Sequence, residues 1–402
     1  MSRRSFLRSV CGAATVLLAL DGCSRESDRD AGRSTGGTFT VPPESGVDRD
    51  AAEDALGGDG FVMDVQAHFL EYDLDAPGGG GNFGGGFPQA RCGEADARAC
   101  FAVDRFLELV FAESDTSVAV LSAIPAASSR TGPLSIDVME RARAVAERVC
   151  GRGRLLLQGQ AVPNQGTLEA LHADMDDLAR RHRISAWKVY THAPGPGWRL
   201  DRDVGAAFVS QAIALDVPVI SVHKGFSGGD RFASPADVGP AARAHPDGRF
   251  VVYHSGYEGG VTEGPYEEAT ADVGVNRLIT SMRAAELGVG SNVYAELGST
   301  WFNVMRDPTQ AAHVLGKLLL HVGEDNVLWG TDSIWYGSPQ GQIQAFRAFQ
   351  ISPELQERYG YPALTDDIKA KVLGRNAARL YGVDPATVAR CQVDRAAIRA
   401  AG

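Results

Sequence analysis

The chain has 402 residues, 44% hydrophobic and 22% charged, a globular profile long enough for one large domain or two ordinary ones. Its formal charge of −11 argues against nucleic acid and against a basic membrane-facing patch. The expected partner is a small molecule, recognised by a local arrangement of side chains.

The first residues read as a targeting segment. Ser2 to Arg8, with Arg3 and Arg4 side by side, has the pattern of a twin-arginine export signal. The apolar run from Val10 to Leu20 has the length of a signal core and is too short to span a bilayer. Leu20-Asp-Gly-Cys23 has the outline of a lipobox, with Asp21 unusual inside it. Residues 1–23 are therefore expected to be a signal, and the mature chain periplasmic, with Cys23 as a lipid anchor if it is acylated. Residues 24–59 are polar, acidic and rich in Gly and Ser, and are expected to form a flexible linker. Cys92 and Cys100 lie close in one loop, where an oxidising compartment would allow a bridge. Cys150 ends a helical pattern and Cys391 lies in the tail. No Cys-x-x-Cys spacing occurs, which argues against a thiolate zinc site.

From residue 60 onward, short apolar segments alternate with helical periodicity. Strands are predicted at Gly60–Phe69, Ser117–Pro125, Arg154–Pro163, Ile184–Thr191, Pro218–Lys224, Arg249–Ser255, Asn292–Gly298 and Asn326–Thr331. Between them, Leu168, Leu171, Met175 and Leu178 mark one helix face, and Thr365 followed by Asp366 and Asp367 marks another helix start. The alternation predicts a (β/α)8 TIM barrel over residues 60–402. An open doubly wound sheet is the alternative, but no Gly-x-Gly-x-x-Gly turn follows the first strand. Three connections, 71–103, 255–272 and 333–343, are long and follow strands, so in a barrel they fall on its C-terminal face. The first holds the glycine-rich run from Gly78 to Gly86, which reads equally as a mobile lid or as a surface insertion.

Chemistry gathers at the strand ends. Asp64, Gln66 and His68 alternate along the first strand and by simple alternation share a face. The fifth ends in His223, the sixth in His254 and the eighth in Asp332. A histidine or aspartate just beyond a buried strand needs a partner or a metal, and four such ends point to one shared site. Lys188, on the fourth strand, either lines the pocket as a local positive charge or pairs structurally with a neighbour. Glu296, near the end of the seventh, is expected to be salt-bridged, with a replacement metal ligand as the alternative. His172, His182, His313 and His321 sit in helical patterns, and His192 and His245 lie in connections and draw no role. Phe69, Tyr257, Trp301, Trp335 and Tyr336 follow strand ends and favour a planar or aromatic substrate.

Met63-Asp-Val-Gln-Ala-His68, Trp187-Lys-Val-Tyr190, Val222-His223, Tyr253-His-Ser-Gly256, Trp329-Gly-Thr-Asp332 and Val372-Leu-Gly-Arg-Asn-Ala-Ala-Arg-Leu-Tyr-Gly382 carry a resemblance. Together they resemble the amidohydrolase-related branch that includes aminocarboxymuconate-semialdehyde decarboxylase and related aromatic-acid decarboxylases. The resemblance implies a (β/α)8 barrel with one divalent ion, zinc by preference, held by His68, His223 and Asp332, with His254 as the catalytic histidine. Binuclear relatives carry a carbamylated lysine at the position of Lys188. The departure is Gln66, which stands where the family has the first histidine of His-x-His and is a weak ligand at best. The expected activity is hydrolysis of an ester, amide or lactone, Asp332 taking the proton of a metal-bound water and His254 polarising the carbonyl. Non-oxidative decarboxylation, a metal-independent lactonase and a ligand-binding lipoprotein without chemistry remain as alternatives.

Overall fold

The computed structural model describes residues 36–58, 60–74, 83–388, 390–391, 393 and 396–398. The signal expected at 1–23, with Cys23, and the first part of the expected linker lie outside the described residues. Eight parallel strands pair in chain order: β1 (Val62–Ala67), β2 (Thr116–Leu121), β3 (Leu155–Gln160), β4 (Ala186–Tyr190), β5 (Val219–His223), β6 (Arg249–Tyr253), β7 (Val293–Glu296) and β8 (Val327–Leu328). Each overlaps the segment predicted for it. The Val65 N–H donates to the Trp329 carbonyl at 3.0 Å and the Asp332 N–H to the Gln66 carbonyl at 2.9 Å, joining β8 back to β1 and closing a (β/α)8 barrel.

Closure explains why these strands read as near-continuous apolar runs, because both faces are covered. Met63, Val65, Val118, Val120, Ala186, Val219, Val251 and Leu328 pack inside the barrel. Leu121, Val189, Ile220, Val222 and Phe250 turn outward into the larger core beneath the helices. Helix Leu168–His182 buries Leu171, Met175 and Leu178, and the Thr167 hydroxyl caps it by accepting the Ala170 N–H. At the chain's end, Thr365 caps a helix that runs through a π turn at Lys371–Arg375 and stops at Gly382, whose φ of 66° suits glycine. The turn lets the Val372 carbonyl accept the Trp329 N–H at 3.0 Å, and the Asn376 amide donates to the Val327 carbonyl at 2.9 Å. The Asn-Ala-Ala-Arg-Leu-Tyr stretch thus fastens the closing helix to β8.

Two expectations need correction. The expected flexible linker is ordered in its second half: Gly37–Phe39 pairs antiparallel with Phe349–Ile351, and helix Arg49–Leu56 buries Leu56. Gly and Ser composition signals coil locally, but a strand held by a non-local partner carries no such signature. On β1, the register against β2 shifts between Asp64 and Ala67, so strict alternation fails there. The bridge allowed between Cys92 and Cys100 is present, and a second, Cys150–Cys391, ties the end of helix Ile136–Cys150 to the tail.

Candidate active site

The expected strand ends converge on the Asp332 carboxylate. Asp332 is buried, sits at a left-handed φ of 59°, and receives four donors. Oδ1 takes His68 Nε2 at 3.0 Å, Gln66 Nε2 at 2.8 Å and the Trp335 indole N–H at 3.0 Å, and Oδ2 takes the Ser299 hydroxyl. Burial alone would push this carboxyl up, but the His68 and Ser299 bonds and the neighbouring His254 outweigh it and hold the acid at about 2. Asp332 is an ionised carboxylate with its lone pairs engaged.

His254 follows β6 at a φ of 62°. Its Nδ1 lies 2.7 Å from the Gly298 carbonyl, which can only accept, so Nδ1 carries the hydrogen and Nε2 carries a lone pair when the ring is neutral. Burial depresses this imidazole to about 4, against the opposing pull of Asp332. The strained backbone here is fixed by Glu296. That side chain accepts the His254 N–H at 2.9 Å and the Gly298 N–H. Glu296 is therefore neither salt-bridged, among the described residues, nor turned to an ion. It is a buried clamp, and burial raises its carboxyl well above the ordinary range.

The remaining candidates divide. His223 is half-buried at the end of β5, with its ring 4.7 Å from His254 and 5.0 Å from Tyr190, and its Nδ1 has no partner. Desolvation keeps it well below the usual histidine range. His192, which drew no role from the sequence, stands 5.0 Å from His223. Its signal was position alone, two residues beyond β4. Lys188 is wholly buried on the inner face of β4, its Nζ 3.6 Å from the centre of the Tyr253 ring and 4.7 Å from that of Tyr190. Among the described residues its Nζ has no hydrogen-bond or ion-pair partner. Asp64 does not join the site: it accepts the Gln66 and Thr331 N–H groups at 3.0 and 3.1 Å and the Thr331 hydroxyl, bracing β1 to β8.

Aromatic rings roof this cluster. Trp335 stacks on His68 at 5.2 Å and on Phe87 at 4.9 Å, with Phe83 and Phe101 at 5.7 Å. The three phenylalanines belong to the first long connection, whose described part thus packs over the strand ends, stapled by Cys92–Cys100. Tyr336 reaches Ser299 at 2.7 Å and stacks on Phe302. Two clefts of about 260 and 210 Å³ flank Phe232, lined by Arg199 with Arg231 and Arg202. None of the strand-end residues lines them, so the chemistry sits elsewhere.

The side chains here do not match the donor set that the resemblance implies for a divalent ion. Gln66 presents its amide N–H, not its oxygen, to Asp332, whose Oδ1 already serves three N–H donors. Among the described residues no three His, Cys, Asp or Glu side chains come together in a way that holds an ion.

A closed (β/α)8 barrel with histidines and an aspartate at its C-terminal strand ends defines a class of enzyme scaffold. This chain belongs to the amidohydrolase family, whose sequence profile matches residues 63–383. Among solved structures, it is similar to 2,6-dihydroxybenzoate decarboxylase from Rhizobium, at 14% identity and a TM-score of 0.47, over 81% of this chain and 99% of that one. It is also similar to a proposed 2-pyrone-4,6-dicarboxylic acid hydrolase from Pseudomonas putida, at 15% and 0.47, over 81% and 98%. A 5-carboxyvanillate decarboxylase from Novosphingobium aromaticivorans, solved as a mutant with bound manganese, aligns at 12% and 0.47, over 80% and 97%. At these identities and scores the likenesses assign neither reaction nor substrate. No curated protein matches the chain.

Proposed function

We propose that the chain is an exported hydrolase that cleaves an ester, amide or lactone bond in a small aromatic or carboxylated molecule. The observation that carries this reading is the His254 ring, whose Nδ1–H is spent on Gly298 and whose Nε2 offers a lone pair beside an ionised carboxylate. A neutral imidazole so held accepts a proton and does not donate one. The roles expected from the resemblance are therefore exchanged. His254 takes the proton of water as its oxygen attacks the carbonyl, and returns it to the leaving oxygen or nitrogen as that bond breaks. Asp332, fixed by His68, Gln66, Trp335 and Ser299, stays ionised and stabilises the transient imidazolium. The rings of Phe87, Trp335 and Tyr336 supply flat apolar walls.

The test is a panel of aryl esters, lactones and hydroxybenzoates incubated with the purified chain. Released acid is expected from esters or lactones. Carbon dioxide from the hydroxybenzoates, with no acid from esters, would replace hydrolysis by non-oxidative decarboxylation.

A further inference from the structure

The chain contains five lysines, and four of them are visibly occupied. Lys224 pairs with Asp237 at 2.7 Å, Lys317 with Glu263 at 2.6 Å, and Lys371 with Glu324 and Asp325. Lys369 donates to the Arg347 carbonyl. Among the described residues Lys188 Nζ finds neither a hydrogen bond nor an ion pair, yet it is wholly buried. It is not remote from the chemistry. Tyr190, one of the two rings against its Nζ, stacks on His223, and His223 stands against His254.

Magnitudes decide its charge. A cation over aromatic faces gains up to about 2 kcal/mol when desolvated. Stripping water from an unpaired ammonium costs several kcal/mol. Burial drives the amine well below its ordinary range, outweighing the opposing pull of Asp332 and Glu296, and so favours its neutral form. A structural role does not explain this group, since a methionine of similar length would fill the space without stranding a donor. What remains is an uncharged primary amine with a free electron pair, inside a site that excludes water. That is the state in which a lysine is a nucleophile.

We propose that Lys188 forms an imine with a ketone or aldehyde substrate, giving this barrel an amine-dependent activity beyond hydrolysis. The Nζ electron pair bonds to the carbonyl carbon, and the carbonyl oxygen leaves as water with one amine hydrogen and one acid proton. One hydrogen stays on nitrogen, so the imine is protonated; with a β-keto acid its own carboxyl group supplies that proton. With a β-keto acid the protonated imine accepts the electron pair of the breaking carbon–carboxylate bond. Carbon dioxide leaves, the resulting enamine is protonated at carbon, and water releases the ketone and restores the amine. No oxidant, reductant or further reactant is needed.

The probe is acetylacetone, a small β-diketone that condenses with neutral amines to a stable conjugated enaminone. The whole chain is incubated with it at pH 7.5, and each lysine-bearing peptide is followed by mass spectrometry. An ordinary lysine is neutral in roughly one molecule per thousand at that pH. Modification at Lys188 is therefore expected up to about a thousandfold faster than at Lys371. Lys188→Met should abolish that adduct and leave the slow ones. The wild-type peptide map is decisive even if the variant folds poorly. No adduct at Lys188, or one no faster than at Lys371, would overturn the proposal. Neither result bears on ester or lactone hydrolysis by His254, which is measured separately.

Discussion

Replacing His254 by Asn tests the centre of the proposed mechanism. Asn is the right substitute because position 254 has a φ of 62°, which Asn tolerates better than Ala, and its amide can still donate to the Gly298 carbonyl. Folding should survive, while loss of the proton acceptor should lower kcat about 10²–10⁴-fold. The same variant should change how stability depends on pH. His254 is depressed from its ordinary value of 6.5 to about 4 by burial. Its unfolded form takes a proton near pH 6.5 and its folded form only near 4. Its contribution is therefore intact above 6.5 and is lost as pH falls through that window, to a total of about 3 kcal/mol. By pH 5, roughly 2 kcal/mol of it should be gone from wild type and none from the variant. Urea denaturation at pH 7 and pH 5 reads this as a difference between the two proteins, so groups common to both cancel. A variant that keeps more than a tenth of wild-type kcat, or shows the same acid loss as wild type, would refute the assignment.

Asp64 is raised to about 7 by burial, against the bonds from Thr331 and Gln66. Its contribution is full below its unfolded value of 3.8 and is lost as pH rises to 7, about 4 kcal/mol in all. Asp64→Asn should flatten that fall when unfolding is compared at pH 4 and 7. Wild type should keep its activity after chelation and dialysis, and Gln66→His, which restores a nitrogen lone pair on the same strand end, should raise the bound metal found by elemental analysis. Metal-dependent wild-type turnover would return Asp332 and His68 to the role of ligands. Changing Arg3 and Arg4 to Lys should strand the precursor in the cytoplasm, which cell fractionation reports. Undiminished periplasmic protein would refute the export reading.

The barrel was legible because its signals are local. An apolar run ended by a lone His or Asp marks both a buried strand and the end at which chemistry is placed, and His68, His223, His254 and Asp332 all come to the barrel's C-terminal end. What was hidden depends on contacts far apart in sequence. Glu296 looks like any strand carboxylate until the His254 and Gly298 backbones are seen to converge on it. Asp64 was misplaced because a register shift in β1 breaks an alternation that composition cannot report. His192 had no pattern of its own. Gly37–Phe39 reads as coil, since its ladder is completed by residues more than three hundred positions later.

The Trp335 side chain joins two jobs that many enzymes keep apart. The ring stacks both on Phe87 of the covering loop and on His68, and its N–H holds Asp332. A graft that swaps the loop to change substrate range would therefore also disturb the carboxylate that the proposed mechanism relies on. Variation in this lineage should accordingly favour the outer edge of the loop over Phe87. A laboratory search for new substrates should randomise the rim and leave those three stacked rings intact.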